Sequence, residues 1–195
     1  MSRKASYLVL LGVVGIAAAA GYLSKSFRAP ASAGYAAVSA PGAGPSGDIR
    51  GPYFSDRNRV ATAIIAAIHH THRSLDIAIY SFTDRQLEAA VVAAARRGVR
   101  VRVVADQHQA DDPHSEIFYL RAAGVTVRLS GGYRGLRSIM HDKFAVFDDQ
   151  WVETGSFNWT ISAEDYNYEN AIFLSDPLTV ARYEREFERI WSRAQ

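Results

Sequence analysis

His141 and Lys143 stand two residues apart, and Ser156 and Asn158 repeat that spacing downstream, directly after Gly155. In an extended segment, residues two apart leave the same face. Two neighbouring strands of this kind present an imidazole, an ammonium, a hydroxyl and an amide to one spot, and Gly155 leaves room for close approach of backbone or ligand. That set suits a phosphate diester. The imidazole attacks phosphorus while the lysine and the asparagine hold non-bridging oxygens as negative charge grows. Lys143 is the only lysine after residue 33, every other cation there being arginine. A site that needs a compact ammonium instead of the wide guanidinium fork explains this; codon bias or chance is the alternative.

For these side chains to converge, the segments that carry them must pair. Met140–Phe147 and Trp151–Thr154 flank Asp148-Asp149-Gln150, which predicts a hairpin. Upstream, a helical pattern begins at Ser55, a plausible N-cap, with Val60, Ile64, Ile65 and Ile68 at three- and four-residue spacing. A strand over Leu75–Phe82, a helix over Asp84–Arg97 stopped by Gly98, and a strand over Val99–Ala105 follow. A short helix over Ser115–Ala123, closed by Gly124, leads to a strand at Val125–Leu129. Ala171–Leu174 predicts a last strand and Pro177–Arg193 a C-terminal helix. Strand–helix–strand–helix–strand order predicts parallel pairing with right-handed crossovers. The expected fold is α/β: a mixed, largely parallel β-sheet flanked by helices, one domain per chain, over residues 51–195.

Composition sets the limits. The 195 residues suit one domain plus additional sequence, and a 48% apolar fraction excludes wholesale disorder. With no cysteine, disulfides, thiolate catalysis and cysteine-ligated metals are excluded. The net charge of +2 is misleading, because Arg3, Lys4, Lys25 and Arg28 lie in an N-terminal stretch without acids. Residues 34–195 carry 18 cations and 20 anions, so bulk charge does not announce a polyanionic ligand.

Residues 1–28 read as a signal peptide or membrane anchor. Arg3 and Lys4 precede the uncharged run Ala5–Ser24, and Ala31-Ser32-Ala33 suits a peptidase. Uncut, residues 5–24 are just long enough to span a bilayer. Either way the expectation is an exported protein, periplasmic or secreted, or one anchored to a membrane by this segment. Residues 29–50, rich in Ala, Gly, Pro and Ser, read as a flexible linker.

Taken together, His141-x-Lys143, four residues, Asp148, six residues, then Gly155-Ser156-x-Asn158 resembles the signature of the phospholipase D superfamily. The resemblance extends to Tyr80-Ser81-Phe82-Thr83-Asp84, to Arg97–Arg102 and to Tyr168-Glu169-Asn170, and covers essentially residues 55–195. It is nearest to the small, secreted, single-motif bacterial endonucleases that work without metal and resist chelators. The resemblance implies that His141 is a nucleophile forming a phosphohistidine, that Lys143 and Asn158 bind phosphate, and that Ser156 supports them. Glu169 is implied to hydrogen-bond the far nitrogen of His141. Asp148 falls at a strand end, opposite in parity to His141, and is expected to be structural, as is Gly155. One motif copy implies a C2 homodimer with a shared site. No cofactor and no metal are expected.

The leading functional expectation is a metal-independent, non-specific endonuclease acting on nucleic acid, DNA with RNA left open. The alternative is a phospholipase D or cardiolipin hydrolase at a membrane, and a second alternative is a catalytically silent nucleic-acid-binding module. Other clusters read more plainly. His69, His70 and His72 suit a helix terminus better than a metal. His108, Asp111, Asp112 and His114 read as a solvated loop with a substrate groove as the alternative. Gly131–Gly135 reads as a flexible loop. Arg100, Arg102, Arg134 and Arg137 are candidate phosphate contacts. Trp159, Tyr166 and Tyr168 are expected in the core or a dimer contact, with base stacking as the alternative.

Overall fold

The computed structural model describes residues 47–134 and 138–195, which fall within one compact unit, Ala43–Gln195. The expectations for residues 1–28 and for most of the linker lie outside the described residues. Among the described residues no helix is long and apolar enough to cross a membrane.

One seven-stranded sheet forms the middle layer, in the order β1-β7-β6-β5-β2-β3-β4. Its strands are β1 (Ile49–Phe54), β2 (Ser74–Ile79), β3 (Arg100–Asp106), β4 (Thr126–Ser130), β5 (Lys143–Phe147), β6 (Trp151–Gly155) and β7 (Asn170–Leu174). The helices are α1 (Ser55–Asn58), α2 (Val60–His69), α3 (Arg85–Arg96), α4 (Gln107–Ala110), α5 (Ile117–Ala122), α6 (Ile161–Asp165) and α7 (Pro177–Trp191). The expected mixed sheet flanked by helices is present, with a different balance of pairings. Only β2–β3 and β3–β4 are parallel, and the other four ladders are antiparallel. The crossover pattern governs only the N-terminal half. After β4 the chain returns through the β5–β6 hairpin and adds β7, on which β1 from the start of the domain pairs as the edge strand.

Two apolar layers hold the sheet. Val60, Ile64 and Ile68 of α2 and Leu87 and Val91 of α3 pack on Leu75, Ile77 and Ile79 of β2. On the opposite face, Val180, Phe187 and Ile190 of α7 cover Ala78, Val104, Phe144 and Val152. Strand alternation sorts these sets, so β2 sends its odd positions to one layer and its even positions to the other. The even set contains a charge: Asp76 takes a bidentate pair from Arg102 at 2.8 and 2.7 Å. Arg102 also bonds Glu188 at 2.7 Å and lies over the rings of Phe187 and Trp191. Arg100 reaches the same Asp76 at 3.5 Å. Both arginines, read as candidate phosphate contacts, are therefore engaged with Asp76, and Arg102 also ties α7 to the sheet.

Local signals set several boundaries. Asp84 caps α3 through the N–H groups of Gln86 and Leu87, and Asp176 caps α7 through that of Thr179. Ser55 differs from its expected role. It is buried inside the chain and makes no cap; the helix breaks instead at Arg59, whose φ is +52°. The linker also ends earlier than expected, since Ile49 and Arg50 already pair with Leu174 and Phe173 as the start of β1. A Gly-Pro pair inside the segment masks it as a strand, and an edge strand is where proline is tolerated.

Candidate active site

His141, Lys143, Ser156, Asn158 and Glu169 line one cleft of about 490 Å3, together with Asp142, Thr154, Gly155 and Tyr183. It opens where β5 begins and β6 ends, beside the C-terminal ends of β2 and β3. His141 itself precedes β5, in an irregular segment, so its position depends on what fixes that segment. Asp106, fully buried at the end of β3, supplies the anchor. One carboxylate oxygen accepts the Met140 N–H at 2.9 Å, and the other accepts the His108 and Gln109 N–H groups at 3.0 and 3.2 Å. Sequence reasoning passed over Asp106. The signal available was a carboxylate ending an otherwise apolar strand, where it must find donors.

The imidazole of His141 lies against the Tyr80 ring, with centroids 4.6 Å apart. Lys143 Nζ sits 3.3 Å from His141 Nε2, donates to the His141 carbonyl at 2.9 Å, and lies 5.2 Å from the Tyr80 ring centroid. Burial pushes the Lys143 ammonium below the ordinary lysine range, against the opposing influence of Glu169 and Asp142. Tyr80 thus holds both side chains, a contact that no spacing rule would have shown.

Gly155 is needed for close approach: a Cβ there would lie 2.0 Å from the Asn170 carbonyl oxygen. The same backbone contact brings Ser156 to Glu169. The Ser156 hydroxyl donates to the Glu169 carboxylate and accepts from the Asn170 N–H at 3.2 Å and its Nδ2 at 3.3 Å. Asn167 Nδ2 meets the other Glu169 oxygen at 3.4 Å. The expected Glu169–His141 bond is a point of difference. Among the described residues no hydrogen bond joins them, because Ser156 and Asn167 take the carboxylate. Ser55 fixes this loop, donating to the Asn167 carbonyl at 2.5 Å and accepting the Glu169 N–H at 3.0 Å. Asn158 is half-buried, with Oδ1 buried and without a protein partner.

Asp148 lies in the β5–β6 turn at φ +54°, at the far end of β5 from His141. Its carboxylate accepts the N–H groups of His72, Arg73 and Ser74, at 3.0, 2.7 and 3.0 Å. Burial raises its pKa, but the three N–H groups outweigh that and hold it below the usual carboxylate range. It pins the hairpin to the start of β2.

The remaining candidates separate. Trp159 is core, edge-on to Phe82 at 5.1 Å. Tyr166 and Tyr168 are 82% and 91% exposed, so core packing does not describe them. Asp112 and His114 line a second groove that shares Tyr80 and Asn158 with the site. Gly131 and Gly132 border a third cavity that shares His141. Arg134 lies over Tyr133 at 5.4 Å; Gly135 and Arg137 lie outside the described residues. Among the described residues no three His, Cys, Asp or Glu side chains gather as metal ligands, and His69, His70 and His72 form no such cluster.

The family described as cardiolipin synthase, PLD-like domain, matches residues 64–191. The chain belongs to the phospholipase D family. It is 44% identical over 121 residues to the mitochondrial cardiolipin hydrolase of Xenopus laevis, covering 61% of this chain and 55% of that protein. It is 40% identical over 138 residues to the Homo sapiens protein of the same name, covering 70% of this chain and 51% of that one. The chain therefore spans about half the length of these curated relatives. Among solved structures it is similar to Nuc, a phospholipase D family member from Salmonella typhimurium. The TM-score is 0.70 and the identity 28%, over 76% of this chain and 97% of Nuc. This supports the likeness to Nuc-type endonucleases within the superfamily and the one-domain fold. The expectation of export to the periplasm or beyond is corrected by the curated relatives, whose names place them at the mitochondrion. A basic start followed by an uncharged run does not by itself specify export, because other membrane destinations use the same physical pattern.

Proposed function

We propose that this phospholipase D-type phosphodiesterase hydrolyses phospholipid diesters of the cardiolipin kind through a phosphohistidine at His141, in a site completed by a second copy of the chain. The observation that carries the chemistry is the placement of Lys143 Nζ 3.3 Å from His141 Nε2 in a cleft that also holds Asn158. The names of the curated relatives favour lipid over the nucleic acid that the sequence put first. The uncharged residues 5–24 suit a protein working at a cardiolipin-bearing membrane.

In the proposed reaction, an imidazole nitrogen of His141 attacks phosphorus. An N–P bond forms, the P–O bond to the central glycerol breaks, and that oxygen, departing as the hydroxyl of phosphatidylglycerol, takes a proton from the His141 imidazole of the second copy. Water then attacks the phosphorus, giving its proton to the same imidazole, and the N–P bond breaks to release phosphatidate. Lys143 and Asn158 hold the non-bridging oxygens throughout. Ser156 and Glu169 position Asn170 and the loop behind them.

A nuclease is the second reading, favoured by the similarity to nearly the whole of Nuc. The two separate by incubating the full chain, in chelator, with cardiolipin vesicles and with supercoiled plasmid. The expected result is phosphatidate from the vesicles, abolished in His141→Ala. Plasmid nicking without lipid turnover establishes the nuclease, and silence on both leaves a binding module.

A further inference from the structure

His141 lies at the junction of unlike cavities. On one side, Tyr80 and Asn158 continue into a groove of about 930 Å3 whose walls carry five carboxylates, Asp84, Asp112, Glu116, Glu164 and Asp165, against two arginines, Arg59 and Arg85. Both arginines are already paired, Arg59 with Glu164 at 3.4 Å and Arg85 with Glu116 at 3.3 Å. An anionic or greasy arm gains little there. On the other side, His141 and Asp142 continue into a cavity of about 640 Å3 between the β4 end, the segment before β5 and the C-terminal end of α7. Its walls include Leu129, Ile139, Met140 and Ile190, with Tyr133 at the rim. Its side-chain charges balance, Arg189 and Arg193 against Asp142 and Glu186, and Arg189 is paired bidentately with Glu186. Reciprocal backbone bonds between Leu129 and Gln195, at 2.7 and 3.0 Å, hold one wall together.

Apolar walls around a neutral space, opening directly on the nucleophile, are the features that accept hydrocarbon attached to a reacting phosphate. Ile139 is 47% exposed and Tyr133 73% exposed, so apolar surface stands open to solvent at this mouth. Resting on the phospholipid reading above, we infer that this cavity is a subsite for the acylglycerol arm of the lipid whose phosphorus His141 attacks. Ile139 is then a specificity-determining residue outside the catalytic group.

The test uses the full chain, in chelator, with cardiolipin in mixed detergent micelles and with soluble bis(p-nitrophenyl) phosphate, which has no acyl arm. In Ile139→Asp, kcat/KM for cardiolipin falls on the order of tenfold, while the soluble diester changes by less than about twofold. The soluble rate also reports that the variant folds and assembles. Ile161→Asp, at the rim of the acidic groove and 50% exposed, leaves both rates within about twofold of the parent. An equal loss on lipid in both variants shows general surface docking and overturns the subsite. No loss on lipid in Ile139→Asp overturns it while the phospholipid reading stands. A parent chain that cleaves plasmid and soluble diester but no lipid overturns both.

Discussion

Glu153 is a carboxyl buried in the middle of the sheet, opposite Ala145 of β5 and Phe173 of β7, and only 2% exposed. Its Oε2 has no hydrogen-bond partner. Burial pushes this carboxyl up to about 8, whereas a glutamate in an unfolded chain titrates near roughly 4.3. Between those values the unfolded chain has lost the proton and the folded chain keeps it. The unfolded state therefore binds fewer protons, and stability falls as pH rises. The slope is about 1.4 kcal/mol per pH unit, so the full window costs on the order of 5 kcal/mol, comparable with a whole domain's stability. Urea unfolding followed by tryptophan fluorescence at pH 5, 6.5 and 8 measures it. Glu153→Gln removes the titrating proton, so its stability relative to the parent rises steadily across that series. The variant starts at a disadvantage, because its amide is itself buried with few partners. Parallel pH profiles for parent and variant would refute the reasoning, since they require Glu153 to be charged or hydrated in the folded chain.

Two further substitutions separate scaffold from chemistry. Asp148→Asn weakens the contacts to the His72, Arg73 and Ser74 N–H groups, lowering stability by about 1–2 kcal/mol while activity per folded molecule is unchanged. Because the Asp148 carboxyl is held low, its stabilisation is present above the unfolded value and disappears as pH falls below roughly 4; urea midpoints at neutral and acid pH check this. Lys143→Arg places a wide fork where an ammonium sits between His141 and Tyr80, and kcat falls on the order of a hundredfold in steady-state assays. In the parent, the alkaline limb of kcat/KM lies below the ordinary lysine range, because burial favours the neutral amine.

Much of the site could be read from spacing. Lys143, Ser156 and Asn158 reach one cleft because β5 begins and β6 ends at the same edge of the sheet, although only Lys143 lies within a strand, and Gly155 is small because the Asn170 carbonyl passes against it. Asp148, set apart from His141 in the sequence by parity at a strand end, lies in the β5–β6 turn at the far end of β5. Long-range partners were beyond that reasoning. Asp106 and Ser55 act on Met140 and Glu169 across large separations in sequence, and nothing local marks those bonds. The same limit explains Glu169, which resemblance assigned to His141 and which Ser156 takes instead. In the fold, helices with acidic caps were readable in advance, since a cap is a local bond. The edge strand β1 was not, because its pairing with β7 offsets a proline-containing sequence that has no strand signal of its own. Charge counting pointed to no ligand, and the paired arginines show why: Arg59, Arg85, Arg100 and Arg102 all answer nearby carboxylates.

The covalent role of His141 is the claim on which the proposed chemistry stands, and rapid quenching of the full chain during turnover of cardiolipin tests it most directly. Mass spectrometry of the digested protein should find an acid-labile phosphatidyl adduct on the peptide containing His141, formed and lost at rates compatible with kcat and absent in His141→Asn. Sustained turnover with no adduct at His141, or an adduct that persists in His141→Asn, would contradict it.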